Sequence, residues 1–332
     1  MINRKDLWLL ILILVVGTVV AVINPRFLSP INLSNTANLI GLFGIFAVAQ
    51  AFVIIAGGIE LSVGSIIALL GVIFVDLVAL CTLHWSAAAL LVIALGCLIG
   101  LIHGLLVARM NLQPFVVTLC GLLIYRGVAR YYTDDATAGF PFGASFPVLE
   151  WLTTGRFFGI PHSLIAFALI TLIMGIVLHR SVLGRYFFAV GKNEEAARYS
   201  GIDTSAVVIA SYVLCCGLTA VAAIFIAMYT RSISPSSHGN FYELYAIAAA
   251  VLGGCSLRGG EGSIIGVVLG TVLLQVLQNL VNLLGIPSSL NFAVMGSVIL
   301  IGVLADQQIS KSRLSTRRHG QAPSGSLPTP RS

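Results

Sequence analysis

Residues 179–205 (HRSVLGRYFFAVGKNEEAARYSGIDTS) form the one sizeable charged segment that lies between two long apolar stretches of the chain. They offer ion pairs and hydrogen bonds to a partner. Residues 193–200 are rich in Glu and Ala, which favour a helix, and Gly201 follows them as a helix stop. The pattern predicts a short surface helix that fits into a cleft of a partner protein. A solvated loop between two membrane spans is the alternative interpretation.

Hydrolysis of ATP by the chain itself would need a phosphate-binding loop of the pattern GxxxxGK[ST]. The nearest dipeptide, Gly191-Lys192, is followed by Asn193, and Tyr186 stands where the first glycine would be. The metalloprotease pattern HExxH and the hydrolase pattern GxSxG are also missing from the sequence. We therefore expect that the chain is not an enzyme, and that energy comes from a separate ATPase or from an ion gradient.

A second polar segment, residues 57–65 (GGIELSVGS), interrupts the apolar sequence. Glu60 or Ser62 can satisfy the free amide groups at the start of the helix that follows. The segment is either a tight turn between two helices or a broken helix that lines a translocation path. Under the second interpretation, the candidate path residues are Gly57, Gly58, Glu60, Ser62, Gly64, Ser65 and His103.

Polar amides recur along an otherwise Leu/Val-rich stretch, at Gln275, Gln278, Asn279 and Asn282. With about 100° between successive residues, they share one face of a helix. Amides in hydrocarbon need a partner or water, so this face points at protein or at a cavity. It is either a hydrogen-bonded seam between helices or a stripe that lines the translocation path.

Asp76 falls near the middle of another apolar stretch. An intramembrane carboxylate is either a proton-coupling site, as in a symporter, or a group satisfied by an interhelical hydrogen bond. His103 is the obvious partner to consider. Counted along their helices at about 1.5 Å per residue, the two residues lie at different depths, so we expect no contact between them.

The chain has 332 residues, of which 58% are hydrophobic and 9% are charged. This composition leaves too little polar surface for a soluble protein, and the apolar runs have helix length without two-residue alternation. About 17 to 25 residues cross a bilayer, which predicts an all-α polytopic membrane protein with about ten transmembrane helices. The predicted spans are residues 7–24, 37–56, 63–82, 86–107, 114–129, 163–179, 206–229, 243–255, 263–284 and 289–305.

The distribution of Lys and Arg predicts the orientation. If both termini are cytoplasmic, most basic residues face the cytoplasm. Those left outside are Arg26, Arg126, Arg130, Arg156 and Arg231. On this topology residues 179–205 are cytosolic. Residues 131–162 form the largest periplasmic loop, which would contact a partner or lie on the membrane.

Residues 1–305 are predicted to form the transmembrane domain, and residues 306–332 a disordered, basic cytosolic tail, because their composition cannot bury a core. The net charge of +6 is spread over loops and this tail, so no nucleic-acid partner is expected. The six cysteines show no CxxC pattern and no His at metal-ligand spacing. We expect them to be packing residues and predict no metal site.

Two similar glycine-rich segments, residues 57–67 and 253–265, each follow an apolar span and open the next one. They are predicted to be corresponding turns in two halves of the molecule, or a coincidence of glycine-rich sequence.

Several motifs resemble those of a known family. Glu195-Ala196-Ala197 followed by Gly201 resembles the first half of the EAA signature by which bacterial ABC importer permeases bind their ATPase. Residues 57–65 resemble the GGIDLSVGS segment of the ribose-type permeases of sugar ABC importers, and residues 100–107 and 113–119 resemble that family's GxxNGxLV and PPFIVTL segments. Glu60 stands where the family usually has Asp, and His103 where it usually has Asn.

The resemblance implies a type II ABC importer-like permease bundle in the bacterial inner membrane, importing a monosaccharide or a related small polyol. It implies a cytosolic ABC ATPase subunit that binds ATP and magnesium, a periplasmic sugar-binding protein, and a second permease copy, identical or homologous. Membrane lipid surrounds the assembly, and the chain itself needs no cofactor. The implied ATPase-coupling residues are Gly191, Asn193, Glu194, Glu195, Ala196, Ala197 and Gly201. A branched-chain amino-acid permease of similar architecture stays open as an alternative.

Overall fold

The computed structural model describes residues 4–287, together with 290, 293, 296, 297 and 300. Its helices are α1 (Arg4–Ile23), α2 (Pro30–Ile55), α3 (Val63–Ala79), α4 (Trp85–Ala108), α5 (Pro114–Tyr132), α6 (Pro147–Thr154), α7 (His162–Arg180), α8 (Val182–Lys192), α9 (Glu194–Tyr199), α10 (Thr204–Thr230), α11 (Tyr242–Leu252) and α12 (Ile264–Leu283). A short 3₁₀ helix, Pro25–Leu28, connects α1 to α2. Four two-residue strands complete the described part, namely β1 (Ala138–Gly139), β2 (Arg156–Phe157), β3 (Ile160–Pro161) and β4 (Ser232–Ile233).

The predicted all-α polytopic class is confirmed. Within the described residues, six helices, α1, α2, α4, α7, α10 and α12, are long and apolar enough to cross a membrane, and α3 and α11 are shorter apolar helices. The predicted spans from 7–24 to 263–284 each coincide with a helix. The tenth predicted span, 289–305, and the tail, 306–332, lie outside the continuously described residues.

The helices begin where the sequence offers caps. α2 and α5 each start with proline, whose missing amide costs nothing at this position. The Ser29 hydroxyl accepts a hydrogen bond from the Asn32 amide at the start of α2, and Ser263 does the same for Gly266 at the start of α12.

Helices α2 and α10 form the centre of the bundle. Most of the inner half of α2 is buried, and Tyr212 of α10 is fully buried. Helix α4 packs closely on α10 because Gly96 and Gly100 lie directly against the α10 backbone, where an added methyl group would overlap Cys216 and Tyr212. Small residues of this kind let membrane helices approach closely and gain dispersion contacts.

One end of the bundle, here called the inner face, gathers every segment that was predicted to be cytosolic within the described residues. The Gly260 amide donates to the Ile55 carbonyl at 2.8 Å, and Lys192 forms an ion pair with Glu261 at 3.3 Å. The Ser205 hydroxyl donates to the Ala108 carbonyl, which brings the end of α4 to the same face. The grouping of segments on two sides thus agrees with the predicted topology.

The opposite end, here called the outer face, holds the largest loop. Strand β1 pairs antiparallel with β4, and the Arg231 guanidinium donates to the Glu150 carboxylate at 2.8 Å and to the Ala144 carbonyl at 2.6 Å. Arg130 forms an exposed ion pair with Asp135, and its hydrogen bond holds the pKa of Asp135 below the ordinary value. Most of the loop is therefore tied to the ends of α5 and α10.

The two glycine-rich turns have similar backbones. Gly57 and Gly254 both have φ of 89°, and each ends its helix with amide bonds back to the last turn. This is the glycine cap expected where a helix ends in the left-handed conformation. The likeness supports corresponding turns, and both lie on the inner face.

Candidate functional site: the inner face and the broken helix above it

The middle of segment 179–205 folds into two helices, α8 and α9, rather than the single short helix that the sequence predicted, and its ends belong to α7 and α10. Helix α8 was missed, although Phe187 and Val190 recur at helical spacing. Both side chains are buried, and Phe187 packs edge-to-face on Phe52 of α2 with ring centroids 5.6 Å apart. The apolar face of α8 therefore fixes this segment to the central helix of the bundle.

Helix α9 is a capped surface helix. The Asn193 side chain accepts from the Ala196 amide at 2.9 Å, and Gly201, with φ of 82°, ends the helix. Ala197 faces the protein, whereas Glu195 and Tyr199 are exposed, Tyr199 by 87%. The exposed face thus offers charge and an aromatic ring to a partner.

Gly191 links α8 to the rest of the inner face. It lies so close to the Ile55 carbonyl and the Gly260 amide that a methyl group would overlap both, and Gly57 is also adjacent. The end of α8 therefore contacts the backbone at the end of α2 and the turn between α11 and α12 directly.

The chain between α2 and α3, residues 56–62, is a break between helices rather than a surface turn. Gly57 is at the inner face, whereas Gly64, at the start of α3, lies against the backbone of Gly239, just before α11. The Glu243 carboxylate accepts a hydrogen bond from the Gly64 amide. Two short helices, α3 and α11, thus begin beside each other inside the bundle, as the broken helices of transporters do.

Arg126 of α5 fixes this junction. Its guanidinium donates to the carbonyls of Pro235 and His238, both at 2.7 Å. At about 1.5 Å per residue, Arg126 lies about 18 Å from the start of α5 at Pro114. The segment that precedes α11 therefore reaches deep into the bundle, and the helix that follows it is short.

Glu60 is the centre of a buried hydrogen-bond network. One carboxylate oxygen, Oε1, accepts from the Ser62 amide at 2.7 Å and from the Ser62 hydroxyl at 2.6 Å. The other, Oε2, lies 2.6 Å from Nδ1 of His103, whose Nε2 lies 2.9 Å from the Tyr125 hydroxyl. Cys216 lies 3.8 Å from Oε2. Glu60 has no exposed surface and His103 is 1% exposed.

The predicted path residues around Glu60 therefore lie close together, but they are buried in the interior of the protein. The Tyr212 hydroxyl donates to the Ile59 carbonyl at 3.2 Å, which closes the network on the α10 side. Ser62 and Ser65 are fully buried as well. Their role in cargo passage stays a prediction.

The oxygen, nitrogen and sulfur donors of Glu60, His103 and Cys216 lie within 4.8 Å of one another, a spacing that a metal ion can use. The 2.6 Å between Oε2 and Nδ1 is instead the length of a direct, charge-assisted hydrogen bond. Both oxygens of Glu60 already accept from protein donors. The arrangement is that of a hydrogen-bonded network.

The amides of α12 divide into two groups. Asn279 and Asn32 of α2 exchange two hydrogen bonds, at 2.8 and 3.0 Å, and Gln278 accepts from the Tyr245 hydroxyl at 3.2 Å. These two amides form the predicted helix–helix seam. Gln275 is buried and Asn282 is exposed, and a path-lining role for them stays a prediction.

Asp76 lies in the last turn of α3, close to the outer face, and hydrogen-bonds to Tyr132 at the end of α5. The expected central position in its span is wrong, because α3 begins inside the bundle rather than at the inner face. Asp76 and His103 have different partners, in keeping with the expectation that they do not touch.

Several residues of this site could not be predicted from the sequence. They are Tyr125 and Arg126 on α5, Tyr212 and Cys216 on α10, and Glu243 on α11, and no local pattern links them to Glu60 or to the junction of α3 with α11. A charged Arg126 and Glu243 within apolar helices were the available hints, since ionisable groups at such positions need partners.

Comparison with protein families gives one match. The model of the family described as "Branched-chain amino acid transport system / permease component" matches residues 32–303. This range covers nearly all of α2 and continues through α12, and it includes residues 179–205, the break and the amide seam.

Individual proteins are similar over nearly their whole length. The ribose import permease protein RbsC of Escherichia coli (strain K12) is 37% identical over 299 residues, 90% of this chain and 92% of that protein. RbsC of Bacillus subtilis (strain 168) is 37% identical over 88% of this chain and 89% of its own length. The autoinducer 2 import system permease protein LsrD of Enterobacter sp. (strain 638) is 35% identical over 89% and 90%. No solved structure matches the chain.

Proposed function

The chain belongs to the permease-component family of the branched-chain amino acid transport system, and on this premise we propose that it is the membrane-spanning subunit of an ABC importer for a monosaccharide or a related small polyol. Those relatives whose names state a substrate are import permeases for ribose or autoinducer 2. The family description mentions amino acids, but the more specific relatives favour a polyol cargo.

The observation that carries the proposal is the exposed helix α9 next to the backbone contact at Gly191. A partner ATPase would hold α9 through Glu195 and Tyr199. Closure of the ATPase on ATP would push α8 and α9, and the contact of Gly191 with Ile55 and Gly260 would pass this displacement to α2 and to the α11–α12 turn. The opposite outer face would then open toward a loaded binding protein.

The proposed partners follow from this mechanism. ATP and magnesium bind to the separate cytosolic ATPase, because the chain contains no phosphate-binding loop of its own. A periplasmic binding protein delivers cargo to the outer face, and a second permease copy, identical or homologous, completes the path. The chain lies in the bacterial inner membrane with both termini in the cytoplasm, in agreement with the basic residues on the inner face.

A proton-coupled symporter that uses Asp76 is the competing mechanism. The hydrogen bond of Asp76 to Tyr132 near the outer end of α3 supports a satisfied structural carboxylate rather than a coupling group in mid-membrane. The mechanism nevertheless makes a separate experimental prediction, because a symporter stops when the proton gradient is removed.

Proteoliposomes that contain the permease, its ATPase and its binding protein test the proposal. We expect uptake of a labelled pentose or deoxyhexose that requires ATP and persists when an ionophore removes the proton gradient. Leucine and an Asp76→Asn variant are the controls: leucine should not accumulate, and the variant should retain sugar uptake within about threefold, a difference of less than 1 kcal/mol. Uptake of leucine alone, or uptake abolished by the ionophore, would contradict the proposal.

A further inference from the structure

The hairpin that β2 and β3 form on the outer face has two different sides. Arg156 pairs with Pro161, and Phe157 pairs with Ile160. Cross-strand partners project to the same side of a hairpin and successive residues to opposite sides, so Phe157 and Ile160 share one side and Arg156 and Pro161 the other. Phe158, in the turn, is 91% exposed, and its ring lies against the Phe157 ring with centroids 4.7 Å apart. The hairpin is therefore amphipathic.

The side of the hairpin with Arg156 and Pro161 points to the bundle. These two residues line a cavity of about 250 Å³ together with Asn35 and Asn38 of α2. Counted at about 1.5 Å per residue, Asn38 lies about 12 Å along α2 from its start at Pro30. The hairpin therefore lies beside α2 rather than over its end, and its apolar side points laterally, away from the bundle.

The hairpin also lies at the depth where two membrane spans begin. Strand β3 ends at Pro161, and α7 begins at the next residue, His162. The Ser163 hydroxyl donates a hydrogen bond to the Asn38 side chain, so the start of α7 is level with Asn38. Asn38 is the second residue of the predicted span 37–56. The hairpin is thus at the boundary between hydrocarbon and lipid headgroups.

Trp151 of α6 belongs to the same surface. Its ring packs edge-to-face on the His162 ring, with centroids 4.7 Å apart, and its carbonyl is hydrogen-bonded to Nδ1 of His162. The His162 amide donates to the Gly155 carbonyl at 2.9 Å. These contacts fix α6 to the first turn of α7, and the Trp151 side chain, 61% exposed, lies at the depth of the hairpin.

Helix α7 presents an apolar stripe along the membrane. Ile165, Leu169, Leu172 and Ile176 recur at helical spacing, and each is at least 40% exposed. Contacts between membrane helices favour small and hydrogen-bonding residues, whereas this stripe consists of branched aliphatic side chains. Its chemistry is that of a surface that faces lipid. The hairpin therefore continues a lipid-facing helix at its outer end.

From this geometry we propose that the β2–β3 hairpin and Trp151 form a membrane anchor, which places Phe157, Phe158 and Ile160 in the headgroup region of a phospholipid bilayer. Aromatic rings favour this region, because it is apolar on one side and hydrated on the other. The charge of Arg156 stays on the opposite side, toward the polar cavity. The occupant of the apolar side is lipid, because this side points laterally at the depth of the interface.

The test measures tryptophan fluorescence of the permease alone in nanodiscs of phosphatidylethanolamine and phosphatidylglycerol, in which water reaches both faces. The sequence contains three tryptophans, so Trp8→Phe with Trp85→Phe leaves Trp151 as one reporter. A second reporter is Phe158→Trp, combined with replacement of all three native tryptophans by Phe. Lipids with brominated acyl chains quench from the membrane, and iodide quenches from the water.

The matched control is Phe142→Trp in the same tryptophan-free background. Phe142 is also fully exposed and belongs to the same loop. The segment around it is tied to the end of α10, because the Phe140 amide donates to the Arg231 carbonyl and the Arg231 guanidinium donates to the Ala144 carbonyl. The control ring is therefore held over the bundle, in water.

We expect brominated lipid to quench Trp151 and the tryptophan of Phe158→Trp at least about twofold more than that of Phe142→Trp, because only the anchor lies near the acyl chains. Iodide should quench the control most. Equal quenching at positions 142 and 158, or stronger iodide quenching at 158, would overturn the proposal.

A docking surface for a soluble protein would give the second of these contrary results, because the hairpin would then stay in water in a nanodisc that holds the permease alone. The two reporters lie on different elements, so the test remains decisive if one variant does not fold. The experiment contains no cargo and no ATPase, and its result is therefore independent of the proposed function.

Discussion

Gly191 has no side chain, so the end of α8 can touch the Ile55 carbonyl and the Gly260 amide at the same time. The resemblance to a known family implied Gly191 as a coupling residue, but the sequence could not predict these contacts, because they come from distant parts of the chain. The same holds for Glu60 and His103, which are 43 positions apart and contact each other directly. At the residue scale, contacts between residues far apart in the chain could not be predicted from the sequence.

Replacement of Gly191 by Ala tests the backbone contact. The methyl group would overlap two backbone atoms, which cannot rotate away, so we expect a loss of roughly 1–3 kcal/mol in stability. Gly175→Ala on α7 is the control, because nothing lies within 4 Å of the added methyl group. Thermal unfolding of the two purified variants is the measurement, and equal melting temperatures would show that Gly191 is not tightly packed.

At the scale of elements, the sequence predicted the long helices well, because a membrane span leaves a continuous apolar run. It predicted α9 from its composition and its glycine stop, and the structure has this helix at Glu194–Tyr199. Helix α8 was missed because its apolar face is short and the segment is charged. The sequence did not predict that α3 begins inside the bundle, because hydropathy does not reveal how deep in the membrane a helix starts.

Two substitutions test α9 as the attachment site of the ATPase. Gly201→Asp forces a side chain into a left-handed position with φ of 82°, and Glu195→Lys reverses an exposed charge. We expect both variants to reach the membrane and to lose the co-purifying ATPase by roughly tenfold or more, as for a contact worth above about 1.4 kcal/mol.

Gly159→Asp is the control for backbone strain. Gly159 lies between β2 and β3, has φ of 81° and has open space around it. The Gly159→Asp variant should retain the ATPase. Normal co-purification and uptake in both α9 variants would refute α9 as the attachment site.

At the scale of the whole molecule, the segments divide between two faces as the order of the predicted spans requires. The inner face joins the turn after α2, residues 179–205 and the turn before α12, and the outer face joins the loop after α5 to the end of α10. This division was predictable because it depends on the number and order of the spans, which apolar runs in the sequence reveal. The orientation that loop charge indicates stays a prediction.

Cysteine labelling in cells tests which face is cytoplasmic. In a background with Cys81 and Cys120 replaced by Ser, Tyr199→Cys and Phe142→Cys place one thiol on each face, both at strongly exposed positions. A membrane-impermeant maleimide should label Phe142→Cys in intact cells and Tyr199→Cys only in inverted vesicles, with the permease expressed alone. The reverse pattern would contradict the proposed orientation.

Helices α3 and α11 both begin inside the bundle, and this has a consequence for the insertion of the chain into the membrane. At 17 and 11 residues, these helices are short for independent insertion, and α5 carries Arg126 and Arg130. During synthesis, the insertion machinery meets the carboxylate of Glu60 before α4 brings His103. We therefore expect the helices in the middle of the chain to leave the translocon as a group rather than one at a time. Formation of the Glu60–His103 contact would be the step that lets this group enter the lipid.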